Sequence, residues 1–176
     1  MSANQLEAHV AKLQETLGTK IVKLERDRQN VPIFWVKSEN VIEALRCAKE
    51  TNGLEYHFLS DLTAYDDVEG EDEGQGRFVV VYQLYSPQSK TRIRFKTRAA
   101  DGASVPTATP LWAAANWAER EVFDLLGVKF EGHPDLRRIL LDVRWQGHPL
   151  RKDYHWRKYQ LFNDPEPIPE HLLKED

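Results

Sequence analysis

Cysteine is nearly absent: Cys47 is the only one in 176 residues. A single thiol excludes an internal disulfide and a self-contained iron–sulfur cluster, which takes about four thiolates. Long apolar runs are missing too. No stretch approaches the ~18 apolar residues of a membrane-spanning helix, and Met1 to Lys20 is polar and charged, without the apolar core of a signal peptide. Neither sign of charge dominates. A net charge of −4 argues against a general nucleic-acid binder, though local patches remain open. Nucleotide-binding loops are not found: there is no Gly-x-Gly-x-x-Gly and no glycine-rich segment ending in Gly-Lys-Ser/Thr. The Gly-x-Ser-x-Gly turn of serine hydrolases is missing as well. These absences describe a cytosolic chain, or one held at a membrane only through a partner. Cys47 itself lies in the helical run Val41 to Ala48 and reads as a buried, inert thiol.

The length suits one domain with a tail, and a hydrophobic content of 41% suffices for a core. Leu6, Val10, Leu13 and Leu17 stand at spacings of 4, 3 and 4, which predicts an amphipathic helix over 5–17 with Gly18 at its C-cap. Strands are expected over 19–26 and 31–36, with a turn over 27–30; Pro32 puts the second strand at an edge or marks its first residue. Ser38 is the expected N-cap of a helix over 39–50. Further strands are expected over 54–65 and 77–85. Between them, Asp66 to Gly76 holds six acids and three glycines. It reads as a solvated loop dispensable for folding, because its acids lack the EF-hand order of a calcium site.

A fifth strand is expected over 90–98. Lys90, Arg92, Arg94, Lys96 and Arg98 share one parity, and Thr91, Ile93, Phe95 and Thr97 share the other. A period of two puts all five cations on one face, so the sheet has one wet face. That face reads first as solvated and cross-paired with acids, and second as a dock for an acidic partner surface. Residues 102–110 read as a loop and 111–126 as a helix, with Ala118, Val122 and Leu125 facing the sheet, Glu119 partly buried beside them, and Arg120–Asp124 a surface i,i+4 pair. The order of elements predicts an α+β fold: two layers, with a mixed, mostly antiparallel sheet of about five strands packed against helices. Residues 1–127 form this core.

Residues 128–176 carry no helical or alternating period. Between 137 and 158, seven cations face only Asp142 and Asp153. The expectation is an extended C-terminal arm, loosely packed in the isolated chain, that docks on partner subunits. His133 and His148 are 15 apart, without zinc-site spacing, and are read as loop-fixing or interface groups. Glu119 and Glu121 diverge by about 200° around a helix, so they are not an acid/base pair. No catalytic, cofactor-binding or metal-ligating set emerges. The dense charge instead marks a partner interface: Glu119, Arg120, Glu121, His133, Arg137, Arg138, His148, Arg151 and Lys152. On this reading Arg137, Arg138 and Arg151 anchor a partner, and Arg138→Ala or Arg151→Ala leaves the melting temperature of the isolated chain nearly unchanged.

The run Glu119-Arg120-Glu121, Asp124-Leu125-Leu126-Gly127 and His133-Pro134-Asp135-Leu136-Arg137-Arg138-Ile139-Leu140 closely resembles the signature of the C-type subunit of proton-translocating NADH:quinone oxidoreductase, respiratory complex I. Trp112 to Trp117 before it and Gly147 to Tyr154 after it are similar to that family as well, so the match spans roughly 105–154. The resemblance implies a non-redox scaffold subunit of the peripheral arm. Its partners would be the quinone-site and adjacent iron–sulfur subunits, and FMN and the clusters would be held by those partners. The place implied is the cytoplasmic side of the bacterial inner membrane, reached through the complex. Two departures stand out. His155 follows Tyr154 where the family often has proline after Lys-Asp-Tyr, and the chain stops at Asp176, so the longer form fused to the quinone-site subunit is not expected. Two other readings stay open: the homologous module of a membrane-bound hydrogenase-type complex, and an unrelated soluble binding module or enzyme.

Overall fold

The computed structural model describes residues 3–68, 76–155, 157 and 160. Its elements are α1 (Ala3–Leu17), β1 (Ile21–Arg26), β2 (Pro32–Val36), α2 (Val41–Glu50), β3 (Phe58–Asp66), β4 (Phe78–Ser86), β5 (Thr91–Ala99), β6 (Ser104–Pro106), α3 (Ala115–Leu126) and β7 (Lys129–Glu131). Five strands form one sheet in the order β1-β2-β5-β4-β3. The chain leaves β2 through α2, enters the sheet at its far edge and returns as a β3-β4-β5 meander. That return leaves β5 beside β2 as the one parallel pair of this sheet, with Phe34 opposite Phe95. The architecture is α+β, with a mixed, mostly antiparallel sheet, as the element order predicts.

Alternation decides which face each strand buries. Phe34, Val36, Phe78, Val80, Tyr82, Leu84, Ile93 and Phe95 point to one face and join Val10, Leu13 and Leu17 of α1, Val41, Ala44, Leu45 and Ala48 of α2, and Ala115, Val122 and Leu126 of α3 in one core. The other face carries the cationic parity of β5. Here Arg94 pairs with Asp27 at 2.7 Å and Arg98 with Asp67 at 2.7 Å, while Arg92 lies over Tyr85 and Lys96 over Trp35 and Tyr65. The long stems of these side chains shield Val79 and Val81, which are buried on this face.

Several expectations shift. Pro32 opens a strand that has neighbours on both sides, where its missing N–H costs least. Ser38 is not the N-cap of α2. It begins a short 3₁₀ turn, Ser38–Asn40, and Asn40 holds the cap position without a side-chain bond. The third strand starts at 58 rather than 54, because the Tyr56 N–H bonds Ala48 O at 3.1 Å and seals the end of α2. Helix α3 starts at 115, since the N–H groups of Leu111 and Trp112 both turn back to Ala108 O. The small parallel sheet β6-β7 has no counterpart in the sequence reading, because three-residue strands leave no period to read. It matters for domain organisation: Val128 and Phe130 are buried in the core, so the core continues past 127. In the acidic segment, Asp66 is not solvated but buried against Arg77, and Asp67 pairs with Arg98. Residues 69–75 lie outside the described residues, as do 161–176.

Candidate functional site

The signature block surrounds helix α3. The buried residues of this helix are Ala115, Glu119, Val122, Asp124 and Leu126. The inward stripe is therefore 115-119-122-126, not 118-122-125. Asp124 is buried on a second side, because α3 packs both on the sheet and beneath the segment 133–150. Gly127 ends the helix with φ 79°, its N–H bonded to Phe123 O at 2.8 Å. A Cβ there would sit 2.7 Å from Arg151 Nη2 and from His148 Nε2. Glycine thus serves two purposes, the left-handed turn and the close approach of the arm.

Asp124 organises the arm. Its Oδ2 accepts the N–H groups of Ile139, Leu140 and Leu141 at 3.0, 2.8 and 2.9 Å, and its Oδ1 takes Arg138 Nη1 at 2.6 Å. Burial works against this charge. The bonds from Leu141, Arg138, Leu140 and Ile139 outweigh it and hold the carboxyl below the ordinary range. The other guanidinium nitrogen of Arg138 donates to Trp145 O and Gly147 O, both at 3.0 Å. Arg120 does not pair with Asp124. It donates to Arg137 O and Arg138 O at 3.1 Å each and lies over Trp117. The expected surface pair 120–124 is replaced by two separate clamps on the arm.

Both histidines fix loops, as their sequence context suggests. His133 accepts the Asp135 N–H on Nδ1 at 3.0 Å, which leaves Nε2 to donate to Asn116 O at 3.1 Å. His148 Nδ1 meets Asp124 O at 2.9 Å. Burial pushes its pKa down, against the pull of the Asp124 carbonyl and with help from Arg151 and Arg138.

Glu119 is fully buried. Its Oε1 accepts the Ala108 N–H at 2.7 Å and its Oε2 the Thr107 hydroxyl at 2.5 Å, and His133 Nε2 stands 4.0 Å away. Burial dominates and pushes the carboxyl up to about 7, against the two hydrogen bonds. It ties α3 to the start of the β6 connection and is not a surface contact.

A second ion cluster latches residues 151–153. Arg77, buried, grips Asp66 through Nε at 2.9 Å and Nη2 at 2.8 Å and reaches Asp153 at 3.0 Å. Arg151 grips Asp101 at 2.9 and 3.0 Å, donates to Leu126 O at 2.7 Å, and stacks over Phe78. The Lys152 N–H bonds Asp66 Oδ2 at 2.8 Å.

Of the nine expected interface residues, Glu119, Arg138 and Arg151 are thus occupied within the chain, Arg120 and His148 are half-buried clamps, and His133 is a clamp whose side chain is fully buried. Glu121, Arg137 and Lys152 are exposed, and Arg137 is paired within the chain with Asp135 at 2.5 and 2.8 Å. Sequence reasoning misses Asp66, Arg77, Asp101 and Asp153, whose pairing closes only through the fold. It also misses the exposed apolar residues around α3, Trp117 at 66%, Leu140 at 61%, Val143 at 48% and Leu150 at 58%. Among the described residues no group of three or more His, Cys, Asp or Glu side chains could hold a metal ion, and no helix is long and apolar enough to cross a membrane.

Comparisons with known proteins match most of the chain, this block included. Residues 34–160 match the family described as the respiratory-chain NADH dehydrogenase, 30 Kd subunit. The C-type subunit of NADH-quinone oxidoreductase from Geobacter sulfurreducens is 45% identical over 146 residues, covering 82% of this chain and 86% of that protein. The C/D-type subunit of the same oxidoreductase from Nitrosospira multiformis is 40% identical over 142 residues, which cover 78% of this chain but 23% of that longer protein. A solved structure, the trypsin-resistant fragment (1-134) of Nqo5, superposes with a TM-score of 0.63 at 30% identity, covering 75% of this chain and 99% of the fragment. With the family matched across most of the described fold and relatives this similar over four fifths of its length, the chain belongs to the 30 Kd subunit family of respiratory-chain NADH dehydrogenase, which is the C-type subunit of NADH-quinone oxidoreductase.

Proposed function

We propose that this chain is a non-redox scaffold subunit in the peripheral arm of proton-translocating NADH:quinone oxidoreductase. It supports electron transfer from NADH to quinone without catalysing a step itself. It binds neither FMN nor an iron–sulfur cluster; those groups belong to neighbouring subunits. It sits on the cytoplasmic side of the bacterial inner membrane and is held there by the complex.

One observation carries this reading. Trp117, Leu140 and Leu150 are exposed apolar side chains on α3 or on segments hydrogen-bonded to it, next to the exposed charges Glu121, Arg137 and Lys152. A large aromatic and aliphatic groups ringed by charge have the composition of a subunit interface. The clamps of Asp124, Arg138 and Arg151 hold these side chains in place before a partner arrives, which lowers the ordering cost of docking. The partners proposed for this face are the quinone-site subunit and the adjacent iron–sulfur subunit. Support for the first comes from the Nitrosospira protein, whose name joins C to D in one polypeptide.

The test uses Trp117→Glu and Leu140→Glu in the full chain. Both sites are exposed, so the melting temperature of the isolated protein is expected to stay within a few degrees. Assembled NADH:quinone reductase recovered from membranes through a tag on this chain is expected to fall several-fold, with the quinone-site subunit lost first. Normal assembly in both variants overturns the docking face. Stoichiometric iron, flavin or NADH oxidation in the purified chain overturns the scaffold reading.

A further inference from the structure

The sheet has a second surface that no element covers among the described residues, on the side away from α3. Strand β1 is an edge strand, and its pairing with β2 slips between Ile21 and Lys23. This bulge turns Val22 outward, 63% exposed, beside a groove of about 500 Å³ whose walls include Lys23, Trp35, Lys37, Glu39 and Arg98. A bulge on an edge breaks the hydrogen-bond ladder and re-aims a side chain, so nothing can extend the sheet as a regular strand here. What the groove offers is side chains.

Their chemistry is specific. Val22 and the indole of Trp35 supply an apolar floor. Lys96 and Arg98 both lie over the Trp35 ring, at 5.0 and 5.2 Å from its centre. Three cations line the groove against one carboxylate, Glu39. Lys23 is shared with Glu25 at 2.6 Å and Arg98 with Asp67, but Lys37 is exposed and neither it nor Lys96 has an ion pair among the described residues. Burial pushes Lys96 below its usual range, and although Glu25 pulls the other way, Arg94, Arg98 and Lys23 press it further down. The cations crowd one another, and an incoming anion relieves that crowding. A guanidinium has five donors, so Arg98 can keep Asp67 and still take a second carboxylate.

We propose that this groove docks a carboxylate-rich segment of a neighbouring subunit, with one apolar side chain seated against Val22 and Trp35 and its carboxylates on the lining cations Lys23, Lys37 and Arg98. The inference rests on membership in the multisubunit complex, not on the α3 face, and its test separates the two.

A photo-crosslinking phenylalanine analogue is placed at Lys37, and separately at Trp117, in tagged full-length chain assembled in the native membrane. The Lys37 probe is expected to join a segment of another subunit in which acidic residues outnumber basic ones. Adding Lys23→Glu to the same chain is expected to cut that adduct at least fivefold while the Trp117 adduct and the melting temperature hold. An adduct to lipid, to a second copy of this chain or to a segment without an acidic surplus overturns the proposal. So does the lack of any Lys37 adduct in complex that is assembled and active. Loss of the Trp117 adduct alone counts against the α3 face and leaves the groove standing.

Discussion

Glu119→Gln separates the two roles of a buried carboxyl, shape and charge. The side chain is fully buried, and its ordinary value near 4.5 is pushed up to about 7. The folded protein therefore binds the proton more tightly than the unfolded chain does. Below pH 4.5 both states are protonated and the group's contribution is fully present. Between 4.5 and 7 only the unfolded chain gives up the proton, so stability falls as pH rises, and above about 7 the loss is complete. At ~1.4 kcal/mol per pH unit, that window amounts to roughly 3 kcal/mol. Glutamine keeps the acceptor for the Ala108 N–H and a donor for the Thr107 hydroxyl without titrating. The variant is expected to match the wild type near pH 4 and to exceed it by up to about 3 kcal/mol at pH 8, or about 6–12 °C in melting temperature for a chain of this size. Urea unfolding at pH 4, 5, 6, 7 and 8 reads the difference directly. A flat difference means that the two hydrogen bonds outweigh burial and keep the carboxylate ionised, which also counts against the reasoning. A difference of opposite sign, with the wild type gaining on the variant as pH rises, refutes the reasoning outright.

Arg138→Ala is expected to lower the stability of the isolated chain by ~3–5 kcal/mol in a urea titration, because it leaves Asp124 buried without its counter-charge; this replaces the expectation from sequence that the substitution matters only to assembly. Gly127→Ala is expected to cost about 2 kcal/mol or more, since a left-handed residue with a Cβ costs about 1–2 and that Cβ also meets His148 and Arg151; denaturant midpoints check it, and an unchanged midpoint contradicts the close approach. The amides of Ile139, Leu140 and Leu141 are expected to exchange slowly in the isolated chain and quickly in Asp124→Asn, as read by hydrogen–deuterium exchange; fast exchange in the wild type returns the arm to a segment that orders only on docking.

Local pattern carries much of this fold. The 4-3-4 spacing from Leu6 to Leu17 and the parity of 90–98 follow from helical and strand periods, which any chain must obey to bury one face. The α3 block is legible as a dense run of charge, and its residue types and spacing carry the family resemblance that the comparisons bear out. Partner choice is not legible. Arg138 reads as reaching outward because cations outnumber acids in its stretch of the sequence. Its counter-ion is Asp124, fourteen residues back, and Arg151 finds Asp101, fifty residues away. The β6-β7 pair, the Arg77 cluster and the groove beside the β1 bulge likewise join residues that no period connects. The sequence by itself determined the longer helices and strands and the two faces of β5, because those depend on backbone geometry and transfer out of water, both local. Only the tertiary structure decided which charges are spent inside the chain and which are left for a partner, because an ion pair depends on distance and burial, and both are set after the chain has folded back on itself.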